Sequence, residues 1–284
     1  MSASLRGWLL DLYEDAEEGV SLWFIAEDGL RIRLRQKLEV VFYAAGENEQ
    51  LRALWKYLRR CPEVLDLQRE LRRDAFIPEL IPVLKAIVDS PVNQARLFRD
   101  IQQRYPRLVY YDADIPTSIR HAARFGTFPM ALCEVEYDET RAIQQLRVLN
   151  SRWDLCPLLP VFRTLTLEPD CDPGRAEPAC ILAGYRQRRT ALNLAQPESL
   201  LSRLNEILAE TDPDILLTNW GDTWLIPTLL RLAGEADVHL LLNRDERREV
   251  RWQKELSYFS YGQIIFRAEE AHLFGRSHID QRGA

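Results

Sequence analysis

The sequence predicts a mixed α/β chain of the α+β kind, with a β-rich first domain over residues 1–155 and a second domain over residues 156–284. Three observations predict it. Up to Ala45, short apolar runs, some alternating with polar residues, are separated by turn signals. Between Asn48 and Phe125, apolar stripes at helical spacing interleave with short apolar runs. After Phe162 the patterns follow the order strand, strand, strand, helix, strand, helix, strand.

In the first domain "GWLLDLYED" and "VSLWFIA" are expected strands, and "EDG" is a hairpin turn in which Gly29 takes positive φ. "LRIRLRQ" alternates apolar and basic residues, as a half-exposed strand does, and "LEVVFYAAG" is a fourth strand. Leu51, Leu54, Trp55 and Leu58 space one face of a helix that Pro62 ends. "PELIPVLKAIVD" is expected to be helical, with Pro82 near its start. "PVNQARLFRDIQQRYP" is an amphipathic helix, "RLVYYDADI" a strand, and "PTSIRHAARFG" a helix stopped by Gly126. "ALCEVEYD" and "AIQQLRVLN" are a pair of strands, and the proline-bearing "RWDLCPLLPV" leads into the second domain.

That domain opens with the strand "FRTLTLEP", followed by a turn-rich insert, "DCDPGRAEPAC", and the strands "ILAGYRQRR" and "ALNLA". Pro197 opens a helix whose stripe is Leu200, Leu201, Leu204, Ile207 and Leu208. "DILLTNW" is a short buried strand, "WLIPTLLRLAGEA" the next helix, and the rest mostly β. Two strands end at polar turns, "TLTLEPD" and "LLTNWGD". Open α/β sheets hold ligands at such carboxyl ends.

Composition narrows the functional classes. With 46% apolar and 28% charged residues, a folded, soluble chain is expected. No apolar run reaches the roughly 18 residues of a membrane span, and the first residues do not resemble a signal peptide. A net charge of −6 argues against gripping duplex DNA over the whole surface, and leaves room for a local basic groove. Cys61, Cys133, Cys156, Cys171 and Cys180 show no C-x-x-C spacing, and the four histidines are scattered. No zinc set emerges, and a reducing, cytoplasmic setting is expected. There is no glycine-rich phosphate loop and no G-x-S-x-G elbow.

Several segments, in order, resemble the front of the family-B DNA polymerases, in their bacterial and archaeal branch. "GWLLDLYEDAEEGVSLWFIAEDG" is similar to that family's opening hairpin. "ARLFRDIQQRYPRLVYYDADIPTSIRHAARFGTFPM" is similar to its helix, strand and x-x-D-I-P segment. "ETDPDILLTNWGD" resembles its DPDVLxxYNGDxFD motif, and "LNRDERREV" and "GRSHID" resemble later strand elements. The resemblance covers essentially the whole chain. It implies that the second domain is a partial RNase H-like exonuclease fold with a mixed sheet.

In that family carboxylates hold two divalent ions, normally Mg²⁺, for 3′–5′ proofreading. Against its motifs, Thr166 stands where the first Asp belongs and Glu168 keeps the Glu. Leu225 stands at the second motif's metal-binding Asp, and Trp220 where the family often has Asn. Asp222 matches an acid that is not the essential ligand, and its place suggests a helix N-cap. Glu168 is either a relic ligand or an exposed acid at a strand end. Leu225 and Trp224 are expected in the core. The resemblance thus implies a degenerate site, and no cofactor is expected for this chain. The archaeal uracil pocket is not carried over, because Val40, Gln94 and Thr117 depart from its pattern and only Tyr13 matches.

Tyr185, Arg186, Arg188, Arg189 and Trp252 mix aromatic and basic side chains, a pattern that suits single-stranded nucleic acid as well as solvated faces. Three functions follow. The chain is a non-catalytic polymerase part that guides single-stranded template or primer, with palm and thumb in the same longer chain or in a partner chain. Alternatively it is a stand-alone nucleic-acid- or protein-binding module. The third is an active metal-dependent exonuclease using Glu168, Asp170, Asp222 and Asp280.

Overall fold

The computed structural model of the protein describes residues 3–76, 78–260 and 263–282. The chain forms two compact units, Met1–Leu159 and Pro160–Ala284. The fold class is as the sequence predicts: the described residues form five α-helices and several sheets, one of them mixed. Among the described residues no helix is long and apolar enough to cross a membrane.

The first unit runs β1 (Ala3–Asp15), β2 (Gly19–Ala26), β3 (Arg31–Gln36), β4 (Val40–Ala45), α1 (Asn48–Leu58), β5 (Val64–Arg73) and β6 (Leu80–Val88). It continues with α2 (Pro91–Arg104), β7 (Val109–Tyr111), α3 (Thr117–Phe125), β8 (Leu132–Tyr137) and β9 (Ile143–Val148). One antiparallel sheet has the order β3-β2-β1-β8-β9 and buries Leu9, Val20, Leu22, Phe24 and Leu34. The other has the order β5-β6-β4-β7, the split βαβ arrangement of two interleaved β-α-β runs. Its core joins Phe42, Ala44, Leu84 and Ala86 of the sheet to Leu54 and Leu58 of α1 and Leu97 and Ile101 of α2.

Here one expectation is overturned. "PELIPVLKAIVD" is not a helix: it contains β6, paired on both sides. A continuous apolar run carries no period, so helix and buried strand look alike in sequence. Pro82 does not contradict the strand. The pairing of β6 with β4 covers Val83 to Val88, so Pro82 lies beyond it.

Local signals explain the helix ends. Ser90 Oγ accepts from the Asn93 amide at 3.3 Å, with Pro91 next in line, and α3 stops where Gly126 takes φ 72°. Inside α3, His121 is fully buried. Its Nε2 lies 2.8 Å from Gln36 Oε1 and its Nδ1 2.7 Å from Thr127 Oγ1. The amide oxygen can only accept, so Nε2–H donates to it and Nδ1 accepts from the hydroxyl. Burial, with help from Arg124, pushes the imidazole down to about 4.

The second unit runs β10 (Thr164–Pro169), β11 (Cys180–Tyr185), β12 (Arg188–Asn193), α4 (Pro197–Thr211), β13 (Ile215–Thr218), a π-helical turn (Gly221–Leu225) and α5 (Ile226–Glu235). Then come β14 (Arg251–Gln253), β15 (Leu256–Ser260), β16 (Gln263–Arg267), β17 (Glu270–His272) and β18 (Ser277–Asp280). The main sheet has the order β12-β11-β10-β13-β18. β10 is antiparallel to β11, β11 to β12, while β10, β13 and β18 are parallel. The predicted stripe of α4 and Ile226, Leu229 and Leu232 of α5 close one core with Leu165, Leu167, Ile181 and Leu216.

A buried ion network sits where the parallel strands begin. Asp214 is fully buried. Its Oδ2 accepts from the Arg163 amide at 2.9 Å, and its own carbonyl accepts from the Ser277 amide at 2.8 Å. Arg244 bonds Asp214 Oδ1 at 3.0 Å and Asp212 Oδ1 at 2.7 Å, and also the carbonyls of Asp212, Pro213 and Gly275. Arg276 lies beside them, its guanidinium pushed down to about 10 by burial.

Two expected outcomes follow. Arg244→Ala strands the Asp214 carboxylate in the interior and lowers unfolding free energy by about 3–5 kcal/mol in urea titration. A neutral-pH loss under about 1 kcal/mol would contradict the network's role. For His121 the folded value lies below the unfolded 6.5. Its contribution is therefore intact above pH 6.5 and is lost as pH falls toward 4, to a limit of about 3 kcal/mol. His121→Gln should flatten that part of the stability–pH curve.

Candidate functional site

The parallel register brings the carboxyl ends of β10, β13 and β18 side by side, with Leu167 beside Thr218 and Thr218 beside Asp280. Side chains alternate along β10, so Thr166 and Glu168 share the face opposite buried Leu165 and Leu167. Thr166 Oγ1 donates to the Gly184 carbonyl at 3.1 Å. Both oxygens of Glu168 are engaged: Oε1 accepts from Arg189 Nη2 at 3.2 Å and Oε2 from Asn219 Nδ2 at 2.8 Å.

After β13 the chain turns at Trp220, in the left-handed region with φ 52°. The Leu225 amide donates to the Trp220 carbonyl at 2.8 Å, five residues back, which defines the π turn. Gly221 is sterically required. A Cβ there would lie 1.9 Å from Thr218 Oγ1 and 2.6 Å from His278 Nε2. Those two groups bond each other at 2.8 Å, and His278 Nδ1 lies 3.1 Å from the Ala271 carbonyl. Since that carbonyl can only accept, Nδ1 carries the proton and Nε2 accepts from the Thr218 hydroxyl.

Asp222 is not the N-cap that its position suggests. It lies within the π turn, and neither that turn nor α5 has a side-chain cap bond. Its Oδ1 accepts instead from the Ala271 amide at 2.7 Å and stands 3.5 Å from His278 Nδ1. Burial raises its pKa, Asp280 and Glu270 add to the rise, and the Ala271 amide and His278 oppose it. Asp280 closes the ring: Oδ2 accepts from the Asp222 amide and Oδ1 from the Arg282 amide, each at 3.1 Å. The Arg282 guanidinium lies 4.9 Å from the centre of the Trp220 ring.

The Leu225 side chain is fully buried in the helix–sheet core, with Trp224 packed against that core. A hard divalent ion needs several oxygen ligands at once. Among the described residues no group of three or more His, Cys, Asp or Glu is placed to hold one. Glu168 is taken up by Arg189 and Asn219, the Thr166 hydroxyl by Gly184, and Asp170 Oδ1 by the Ala179 amide at 3.0 Å. The residues present do not fit the two-ion arrangement that the resemblance implies.

Of the basic-aromatic candidates, Tyr185, Arg186, Arg188 and Arg189 share the β11–β12 hairpin, and the Arg186 guanidinium lies 5.3 Å from the Tyr185 ring centre. Trp252 sits on a different ribbon, β14–β17, half-buried against the core. Sequence reading missed Asn219 and His278. Asn219, not Trp220, meets Glu168. His278 has no local signal, because its partner Thr218 lies sixty residues earlier.

No family model matches the chain, and no curated protein does. Among solved structures, the family B DNA polymerase from the hyperthermophilic archaeon Pyrobaculum calidifontis is similar, with a TM-score of 0.70 over 97% of this chain at 20% identity. The fold is thus shared with the polymerase front, as the ordered motifs imply. The chain spans 36% of that polymerase's length.

Two substitutions probe the site. Leu225→Asp puts an unpaired carboxylate in the core and should cost about 3–5 kcal/mol in denaturant unfolding. An equally stable variant would show that this position still opens onto an ion-binding cleft. Gly221→Ala must displace Thr218 or His278 and should cost about 1–3 kcal/mol, visible as a lowered Tm.

Proposed function

We propose that this chain is the N-terminal and exonuclease-like part of a family-B DNA polymerase, serving DNA replication or repair without proofreading chemistry of its own. The observation that carries the reading is the pairing of a polymerase fold along nearly the whole chain with a site whose acids are all otherwise engaged. Two-metal hydrolysis needs carboxylates free to share ions. Here Glu168 serves as a structural partner of Arg189 and Asn219, and Asp222 as one of the Ala271 amide.

In this reading the retained fold guides single-stranded template or primer. The β11–β12 hairpin supplies the contact, with Tyr185 for stacking and Arg186, Arg188 and Arg189 for phosphates. Palm and thumb functions belong to further sequence, in the same longer chain or in a partner.

Two measurements test the proposal. Labelled single-stranded DNA with Mg²⁺ or Mn²⁺ should stay intact over hours, and Glu168→Ala should change nothing. Metal-dependent shortening that disappears in Glu168→Ala would establish an active exonuclease instead. Fluorescent single-stranded DNA should bind at low salt, and Arg188→Ala/Arg189→Ala should reduce the log–log salt slope by about 1.4. An unchanged slope would remove the hairpin from the DNA path.

A further inference from the structure

In the first unit, α1 does not seal completely against the β5–β6 hairpin. Leu51, Arg52, Trp55 and Lys56 fall on one stripe of the helix, at i, i+3 and i+4 spacings. Across from them, Arg69 of β5 pairs with Leu84 of β6. Between lies a groove of about 280 Å³. Leu51, Trp55 and Leu84 give it an apolar floor, and Arg52, Lys56 and Arg69 stand around it.

Three cations, Arg52, Lys56 and Arg69, converge on this one groove. Among the described residues none of them has an ion pair or a hydrogen-bonded side-chain partner. In the same unit Arg104 is matched by Asp100 and Arg147 by Glu134. In a chain of net charge −6, three unmatched cations around one apolar floor form a local field of opposite sign.

Size and lining select the occupant. At about 280 Å³ the groove has room for one or two side chains of a partner. Leu51 and Leu84 offer nothing to read a nucleobase edge. Trp55 is half-buried against the helix-side core rather than standing free as a stacking platform. An acidic segment with an apolar anchor satisfies both the floor and the rim.

We propose that this groove docks a short acidic segment of a protein partner. Its apolar anchor sits on Leu51, Trp55 and Leu84, and its carboxylates pair with Arg52, Lys56 and Arg69.

A displayed library of random dodecapeptides, selected against the full chain, tests this. The expected result is enrichment of peptides with acids flanking Leu, Phe or Trp. Their affinity should fall about tenfold or more in Arg52→Glu/Lys56→Glu and fall with added salt. Both substitutions are on exposed positions, and circular dichroism checks that the fold is kept. Leu51→Gln, which alters the floor and leaves the charge, should weaken the same peptides. The proposal is overturned if no such peptides enrich, or if the charge reversal leaves their binding unchanged. It is also overturned if a poly(dT) oligonucleotide displaces them and loses its own binding in the same variant, which would make the groove a nucleic-acid site. The β11–β12 hairpin is intact throughout, so this outcome is independent of the single-strand path proposed above.

Discussion

The second unit depends on one buried arginine. Arg244 is nearly inaccessible and satisfies its guanidinium on five oxygens from Asp212, Pro213, Asp214 and Gly275. Asp214 in turn fastens Arg163, the residue before β10, and Ser277, the first residue of β18. The starting points of three parallel strands are thereby fixed to one charged cluster. Fixing the starts fixes the register, and the register decides which side chains meet at the far ends. A buried pair of this kind is not a free gain in stability, since desolvation opposes it. Its effect is geometric: the strands cannot slide by a residue without stranding a charge.

What meets at the far ends is a closed set of polar contacts rather than an open ligand cluster. Each acid there has a donor from the chain itself. Glu168 has Arg189 and Asn219, Asp222 has the Ala271 amide, and Asp280 has two backbone amides. The space between sheet and helix is filled by Leu225, with Trp224 packed alongside. The surrounding framework of strand, Gly-Asp turn and helix persists. A scaffold can keep its shape after its chemistry changes, because the shape is held by the core and the ion network and the chemistry by a few side chains.

The sequence made the fold legible wherever a period or a cap was present. The α4 stripe, the Pro91 and Pro197 starts and the Gly126 stop are all in place. Where apolar residues run without a period, as in Leu80–Val88, sequence alone could not choose, and pairing with β4 and β5 decided for a strand. At the site the core place of Leu225 was readable from the motif, whereas the partners of Glu168 and Asp222 were not. Asp222 lies inside the π turn and accepts from the Ala271 amide of β17 instead of capping a helix. Arg244 shows the same limit from the other side. It lies in the charge-rich stretch "NRDERREV", which looks solvated as a string of letters, yet its side chain is almost entirely withdrawn from solvent.

The π turn at Gly221–Leu225 has an evolutionary consequence. One surplus residue in a helix normally swings everything after it by about 100°. Here the wider loop closed by the Leu225 amide swallows the surplus, so the apolar stripe of α5 keeps facing the sheet. The junction between β13 and α5 is therefore a place where the chain can gain or lose a residue at little cost to the core. Such a joint lets the polar residues before it change sides while the helix behind it stays where it was. Changes in the polar residues at the end of β13 are cheapest at a joint of this sort, where length and orientation are decoupled.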